Sequence, residues 1–172
     1  MIDLNARPLP SEDGKSHINT HAKGSTQLGK ILSLPYETGE AIRHPILGSF
    51  RTVENLWCYL NTGGNRDTLR TAEPHVARNI TRLAPKYSCD RFKDAIIDAT
   101  ILKLQSNSMY EQMMIDNMLP FDHYFLHGRD RVTIRPGNAL IYISILNTVQ
   151  EILRGTREHK FVRFIDMNFT PL

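Results

Sequence analysis

The stretch Thr52-Val-Glu-Asn-Leu-Trp-Cys-Tyr-Leu60 decides how this chain folds. Val53, Leu56, Trp57 and Leu60 recur at i, i+3, i+4 and i+7, the spacing that puts apolar side chains on one face of a helix. Thr52 stands in front as an N-cap, and Gly63-Gly64 closes the segment. Downstream the pattern returns. Pro74 suits a first helical turn, with Val76, Ala77, Ile80 and Leu83 as the apolar side and Pro85 as the stop. A third helix is expected over about 88–105. A fourth opens on Ser108-Met-Tyr-Glu111, which has capping-box spacing. It carries Met109, Met113, Met114 and Met118, read as core packing, and ends before Pro120. A fifth spans about 138–154 and stops at Gly155. Strands are minor: Arg131-Val-Thr-Ile134 and Lys160-Phe-Val-Arg-Phe-Ile165. The expected fold is α+β, predominantly α-helical, with a few short strands.

Upstream, residues 1–30 are polar and read as an irregular arm or wrapped extension, leaving 31–172 as a single domain. The 172 residues, 41% hydrophobic and 23% charged, suit a chain with a sizeable core. No apolar run reaches the ~18 residues of a membrane span, and the N-terminus has no apolar signal region. The expectation is a cytoplasmic protein with no membrane association. Cys58 and Cys89 form no CxxC pair and read as free thiols. A net charge of +3 and a pI of about 9.0 favour an anionic partner such as a nucleotide.

The segment 120–137 reads as a long loop, and such loops are usually functional or disordered. It carries Asp122, His123, His127, Arg129, Asp130, Arg131 and Arg135. Glu54 lies in a first helical turn, where an ionised acid is favoured; by position alone it is an ordinary first-turn acid. Lys103 is less ordinary. It falls on the stripe of Phe92, Ile96 and Ala99, so it either snorkels to solvent, the commoner case, or sits in a pocket. In a pocket, desolvation would lower its pKa and make it a candidate nucleophile. His123 and His127 have a helical metal-ligand spacing, but the flanking Pro120 and Gly128 argue for a loop. No metal or cofactor is expected.

Three separated segments, in order, resemble the NADAR (YbiA-like) family of N-glycosidases. Ser49-Phe-Arg-Thr-Val-Glu-Asn55 is similar to the family's F-x-[ST]-V-E-[HN] segment. Ala99-Thr-Ile-Leu-Lys-Leu-Gln-Ser-Asn107 is similar to its A-L-x-x-K-F-x-Q-N helix end. Pro120, Asp122 and Gly128 fit a P-x-D-x-x-W-G-x-G loop, and Asn138 and Leu140 fit an N-x-L-G helix start. The chain departs from the family at Phe125, Leu126 and Ile141, which add or change bulk where the family backbone approaches its ligand.

The resemblance implies a YbiA-like single domain that cleaves a bond between ribose C1 and nitrogen. Substrates would be aminoribosides, or guanine nucleotides or nucleic acid carrying ADP-ribose. It implies Glu54, Lys103 and Asp122 as catalytic residues, and Trp57, Gln105, Phe125, Arg129 and Asn138 as substrate-binding residues. Glu54 and Asp122 would divide acid catalysis and charge stabilisation, or Lys103 would attack C1 after ring opening and form a Schiff base. Glu54, Lys103, Asp122 and Asn138 are expected to line one cleft. The departures leave open an alternative: a NADAR-derived nucleotide-binding or macromolecular interaction protein without turnover.

Overall fold

The computed structural model of the chain describes residues 7–128, 131–163 and 166–172. After a 3-10 turn at Pro10–Glu12 come β1 (Ile18–Asn19), α1 (Gln27–Leu32), β2 (Ile42–His44), β3 (Gly48–Phe50) and α2 (Val53–Asn61). Then follow α3 (Thr68–Thr71), α4 (Pro74–Leu83), β4 (Tyr87–Cys89), α5 (Phe92–Gln105) and α6 (Ser108–Asp116). The chain closes with β5 (Phe121–Asp122), β6 (Phe125–His127), β7 (Val132–Ile134), α7 (Ala139–Leu153) and β8 (Phe169–Pro171). Among the described residues helices dominate and the strands associate only in pairs, so the fold is α+β and predominantly helical. Among the described residues no helix is long and apolar enough to cross a membrane. The chain divides into two compact units. The first comprises the described residues up to Ser33 together with 108–157; the second comprises 34–107 and 158–172.

In the second unit, α2 begins where expected. Thr52 Oγ1 accepts the Asn55 N–H at 3.3 Å, satisfying one of the orphan donors of the first turn. Asn55 Nδ2 in turn donates to the Leu69 and Ala72 carbonyls, which ties α3 to α2. Val53, Leu56 and Leu60 are fully buried, each contributing about 1.5–3 kcal/mol of hydrophobic stabilisation. The helix packs against α3, α4, α5 and β4. The central α5 is buried on several sides, including at Asp98, Thr100 and Lys103.

Three local expectations are corrected here. Val76 and Leu83 of α4 are exposed, and the buried positions are Ala77 and Thr81. A threonine can face inward there because its hydroxyl donates to the Ala77 carbonyl at 2.8 Å. The third helix starts at Phe92 rather than near Ser88, because Tyr87–Cys89 pairs antiparallel with β8. That pairing also moves the tail strand: 160–163 form no strand, residues 164–165 lie outside the described residues, and the strand is Phe169–Pro171.

In the first unit, α7 buries Ala139, Tyr142, Ile145, Leu146 and Val149 and packs on α6 and β5. Gln150 Nε2 donates to the Met114 and Asn117 carbonyls, and Arg154 to those of Ile115 and Asn117. These side chains satisfy carbonyls at the end of α6 that helical geometry leaves without partners. Of the α6 methionines only Met114 is fully buried; Met109 is exposed, as is Met118 beyond the helix. The N-terminal segment is held by β1, which pairs in parallel with β5 in the register Ile18↔Phe121, Asn19↔Asp122. The expected loop at 120–137 therefore contains β5 and the β6–β7 hairpin.

Candidate active site

Glu54 sits in the first turn of α2, and the turn is anchored by its own N–H, which donates to the Leu34 carbonyl at 3.1 Å. Its side chain is buried. Oε1 lies 3.4 Å from Arg78 Nη1, while Oε2 meets no hydrogen-bond donor. Burial raises the Glu54 carboxyl above its ordinary value, and the Arg78 charge opposes that only in part. Cys58, one turn further on, is also buried, and its thiol is pushed up by desolvation.

Lys103 does not snorkel. It is 1% exposed, among the largest fully buried side chains, and its Nζ lies 5.4 Å from the centroid of the Tyr36 ring. Desolvation lowers the amine to about 7. The sign of the resulting pH dependence is determined. The unfolded chain binds more protons at this residue between about pH 7 and the ordinary lysine value of about 10.5. Stability should therefore rise with pH across that window, and Lys103→Met should remove the rise. Equal slopes for wild type and variant in urea titrations at pH 7 and pH 9.5 would contradict the assignment.

Trp57 is half-buried on α2, in a T-shaped contact with Phe92 at a centroid distance of 4.6 Å. Gln105 is exposed at the end of α5. Glu54, Trp57, Lys103 and Gln105 thus belong to the second unit, and α2 and α5, which carry them, pack together. A cavity of about 260 Å³ in this unit is lined by residues including Glu37, Ser49 and Arg51, not by Glu54 or Lys103.

Asp122, Phe125 and Asn138 belong to the first unit, and Arg129 lies outside the described residues. Asp122 is 1% exposed and grips Arg135 in a fork: Nε donates to Oδ1 at 2.9 Å and Nη2 to Oδ2 at 2.7 Å. The His123 N–H adds a third donor to Oδ1 at 2.8 Å. A carboxylate held this way fixes a guanidinium in place. Its backbone carbonyl accepts from both the N–H and the hydroxyl of Thr20, locking the β1–β5 edge. His123 Nδ1 lies 3.0 Å from the Thr20 carbonyl, so Nδ1 carries the proton, while His127 is exposed on β6. Phe125 is half-buried, its ring centroid 6.3 Å from that of His21. Asn138 precedes α7, and its side chain makes no capping hydrogen bond.

Three groups escape sequence reasoning. Arg78, four residues into α4, faces Glu54. Tyr36 lies beside Lys103. Asp98, fully buried, accepts from His44 Nε2 at 3.0 Å, from the Val162 N–H at 2.8 Å and from His159 Nε2. No signal in the local sequence marks any of them. Comparison with protein-family models, with characterised proteins and with solved structures finds no match for this chain.

Proposed function

We propose that this chain is a NADAR-like N-glycosidase that cleaves a ribose C1–nitrogen bond in a nucleotide-like or ADP-ribosylated substrate, with Glu54 as acid and Lys103 as amine nucleophile. The observation that supports this most is that one unit buries both a carboxyl raised by desolvation and an amine lowered to about 7, on helices that pack together. Opposite shifts of this kind are how a site assigns acid and base roles at neutral pH. In the proposed step, protonated Glu54 gives its proton to the leaving nitrogen as the C1–N bond breaks. The Lys103 lone pair forms the new bond to C1. The ribosylated amine passes a proton to the Glu54 carboxylate, and the C1–O4 ring bond opens with O4 taking that proton to leave a protonated imine. Water hydrolyses it to the open-chain aldehyde, the amine returning its proton to Glu54.

The test is a hydrolysis screen of purified protein against ADP-ribosylated guanine nucleotides, ADP-ribosylated DNA and aminoribosides. Turnover of at least one class is expected. Its rate should rise with pH through about 7 as the Lys103 amine loses its proton. Glu54→Gln should slow it by roughly 10²–10⁴-fold, the range for loss of general acid catalysis. Lys103→Ala and Lys103→Arg should both be inactive, since guanidinium keeps the charge but is no nucleophile. Borohydride added during turnover should leave a mass adduct on Lys103. Absence of turnover across the screen, or full activity in Lys103→Ala with wild-type thermal stability, would sink the proposal.

A further inference from the structure

The first unit holds a cavity of about 570 Å³, lined on one side by the 10–25 segment and on the other by Tyr124, Phe125, Leu126 and Arg131. That volume falls in the range of small-molecule sites, roughly 300–1,000 Å³. The 19–25 loop along it is held in shape by one carboxylate. Asp13 Oδ1 accepts the Asn19 N–H at 2.8 Å, Oδ2 accepts the Ser25 N–H at 2.6 Å, and the Asp13 carbonyl accepts the Ser25 hydroxyl at 3.0 Å. Gly24 lets the loop close: a Cβ there would lie 2.6 Å from the Asn19 carbonyl oxygen. The Gly24 N–H donates to the His21 carbonyl at 2.7 Å and the Lys23 N–H to His21 Nδ1 at 3.2 Å. His21 therefore carries its proton on Nε2, as a donor.

The other wall brings an aromatic face and a cation. Phe125 is set by its cross-strand pairing with Ile134. Arg131 has φ 50, the one positive value among the described non-glycine residues. Arginine adopts that region at a cost, and such outliers cluster where a side chain is aimed at a ligand. Lys23 and Arg131 thus bring two positive charges to a cavity where, among the described lining residues, the one acid, Asp13, is engaged with backbone N–H groups.

We propose that this cavity is a binding site for a nucleoside phosphate, with Lys23 and Arg131 on the phosphates and the base against Phe125. Guanidinium and ammonium are the side chains that bind phosphate oxygens, and an aromatic ring offers any base a stacking surface. Two cations at the rim of one small cavity suit a single nucleotide; a nucleic-acid strand needs cations tracking successive phosphates. The site lies wholly in the first unit and stands whether or not Glu54 and Lys103 catalyse.

Titration calorimetry of the full chain tests this with ADP, adenosine and inorganic pyrophosphate as probes. Saturable ADP binding is expected, with adenosine and pyrophosphate each weaker by about tenfold or more. Lys23→Ala and Arg131→Ala should each weaken ADP by about tenfold, one charge-assisted contact apiece, and leave adenosine unchanged. Phe125→Leu, which keeps apolar bulk, should weaken ADP and adenosine alike. Lys23 and Arg131 are exposed, so unchanged unfolding midpoints should accompany both losses. No saturable ADP binding, wild-type ADP affinity in the Lys23→Ala/Arg131→Ala double variant, or pyrophosphate binding as tight as ADP would each overturn the inference. So would a single-stranded oligonucleotide that binds more tightly than ADP.

Discussion

Asp98→Ala is expected to destabilise the protein by about 3–5 kcal/mol, because it leaves buried N–H donors without an acceptor at about 1–3 kcal/mol each. The carboxylate is wholly buried on α5 and accepts from three directions. His44 cannot adapt by switching tautomer. Its Nδ1 already accepts the N–H groups of Ile46 and Leu47 at 3.2 and 3.0 Å, so the proton sits on Nε2, facing Asp98. Removing the carboxylate leaves that N–H and the Val162 N–H without their acceptor. It also cuts the link from His159 and Val162 to α5, so the tail should open locally before the rest of its unit. For a chain of this size the loss corresponds to a fall in Tm of roughly 6–20 °C. Hydrogen exchange at Val162 should accelerate more than at the α2 amides. His159→Gln keeps a donor nitrogen near the same place and should be far milder. A Tm for Asp98→Ala within 2 °C of wild type would show that the cluster is dispensable.

That cluster also marks how far local sequence reading reaches. Apolar recurrence at Val53, Leu56 and Leu60 announces α2 because a helix must bury one face, and burial needs only neighbours three or four residues away. α7, Ala139–Leu153, lies within the span of about 138–154 expected to end at Gly155. Asp98 is not. Mid-helix aspartates usually face solvent, and its partners His44 and His159 lie 54 and 61 residues away in sequence. α4 shows the converse: Val76 and Leu83 carry the period, yet Thr81 takes the inward place by bonding its own helix backbone. β1, β4, β5 and β8 are set by pairing across distance, Ile18 with Phe121 and Tyr87 with Pro171, and so leave little local trace, whereas β7, in a local hairpin, falls within the strand expected at 131–134.

The candidate site is legible to a similar depth. The alignment of Lys103 with Ile96 and Ala99 is visible in the chain, but its burial depends on what surrounds α5 on every side. Glu54 reads as an ordinary first-turn acid until Oε2 is found buried without a donor. His21 and Lys23 sit in a polar stretch that reads as an irregular arm or wrapped extension. Only the grip of Asp13 on Asn19 and Ser25, and the cavity shared with Phe125 and Arg131, gives them a candidate role.

Gly29→Ala should destabilise the protein by about 3 kcal/mol, against the direction that helix propensity alone would give. Alanine in place of glycine ordinarily strengthens a helix by up to about 1 kcal/mol. Gly29 lies inside α1, but a Cβ there would sit 2.3 Å from the Asn19 carbonyl oxygen and 2.8 Å from Thr26 Oγ1. The Asn19 oxygen is backbone and cannot rotate away, and Asn19 is itself held by pairing with Asp122 and by Asp13. Thr26 Oγ1 caps α1 by accepting the Gly29 N–H at 3.0 Å, so moving it would undo the cap. The methyl group must therefore push α1 away from β1, loosening the apolar contacts of the buried Leu28, Ile31 and Leu32. Gly137→Ala is the control: a Cβ there meets nothing within 4 Å, and the change should be neutral or stabilise by up to about 1 kcal/mol. Urea midpoints for the two variants should move in opposite directions, or one should move while the other stays. A Gly29→Ala protein at least as stable as wild type would mean that α1 does not pack against the Asn19 carbonyl as closely as the structure shows.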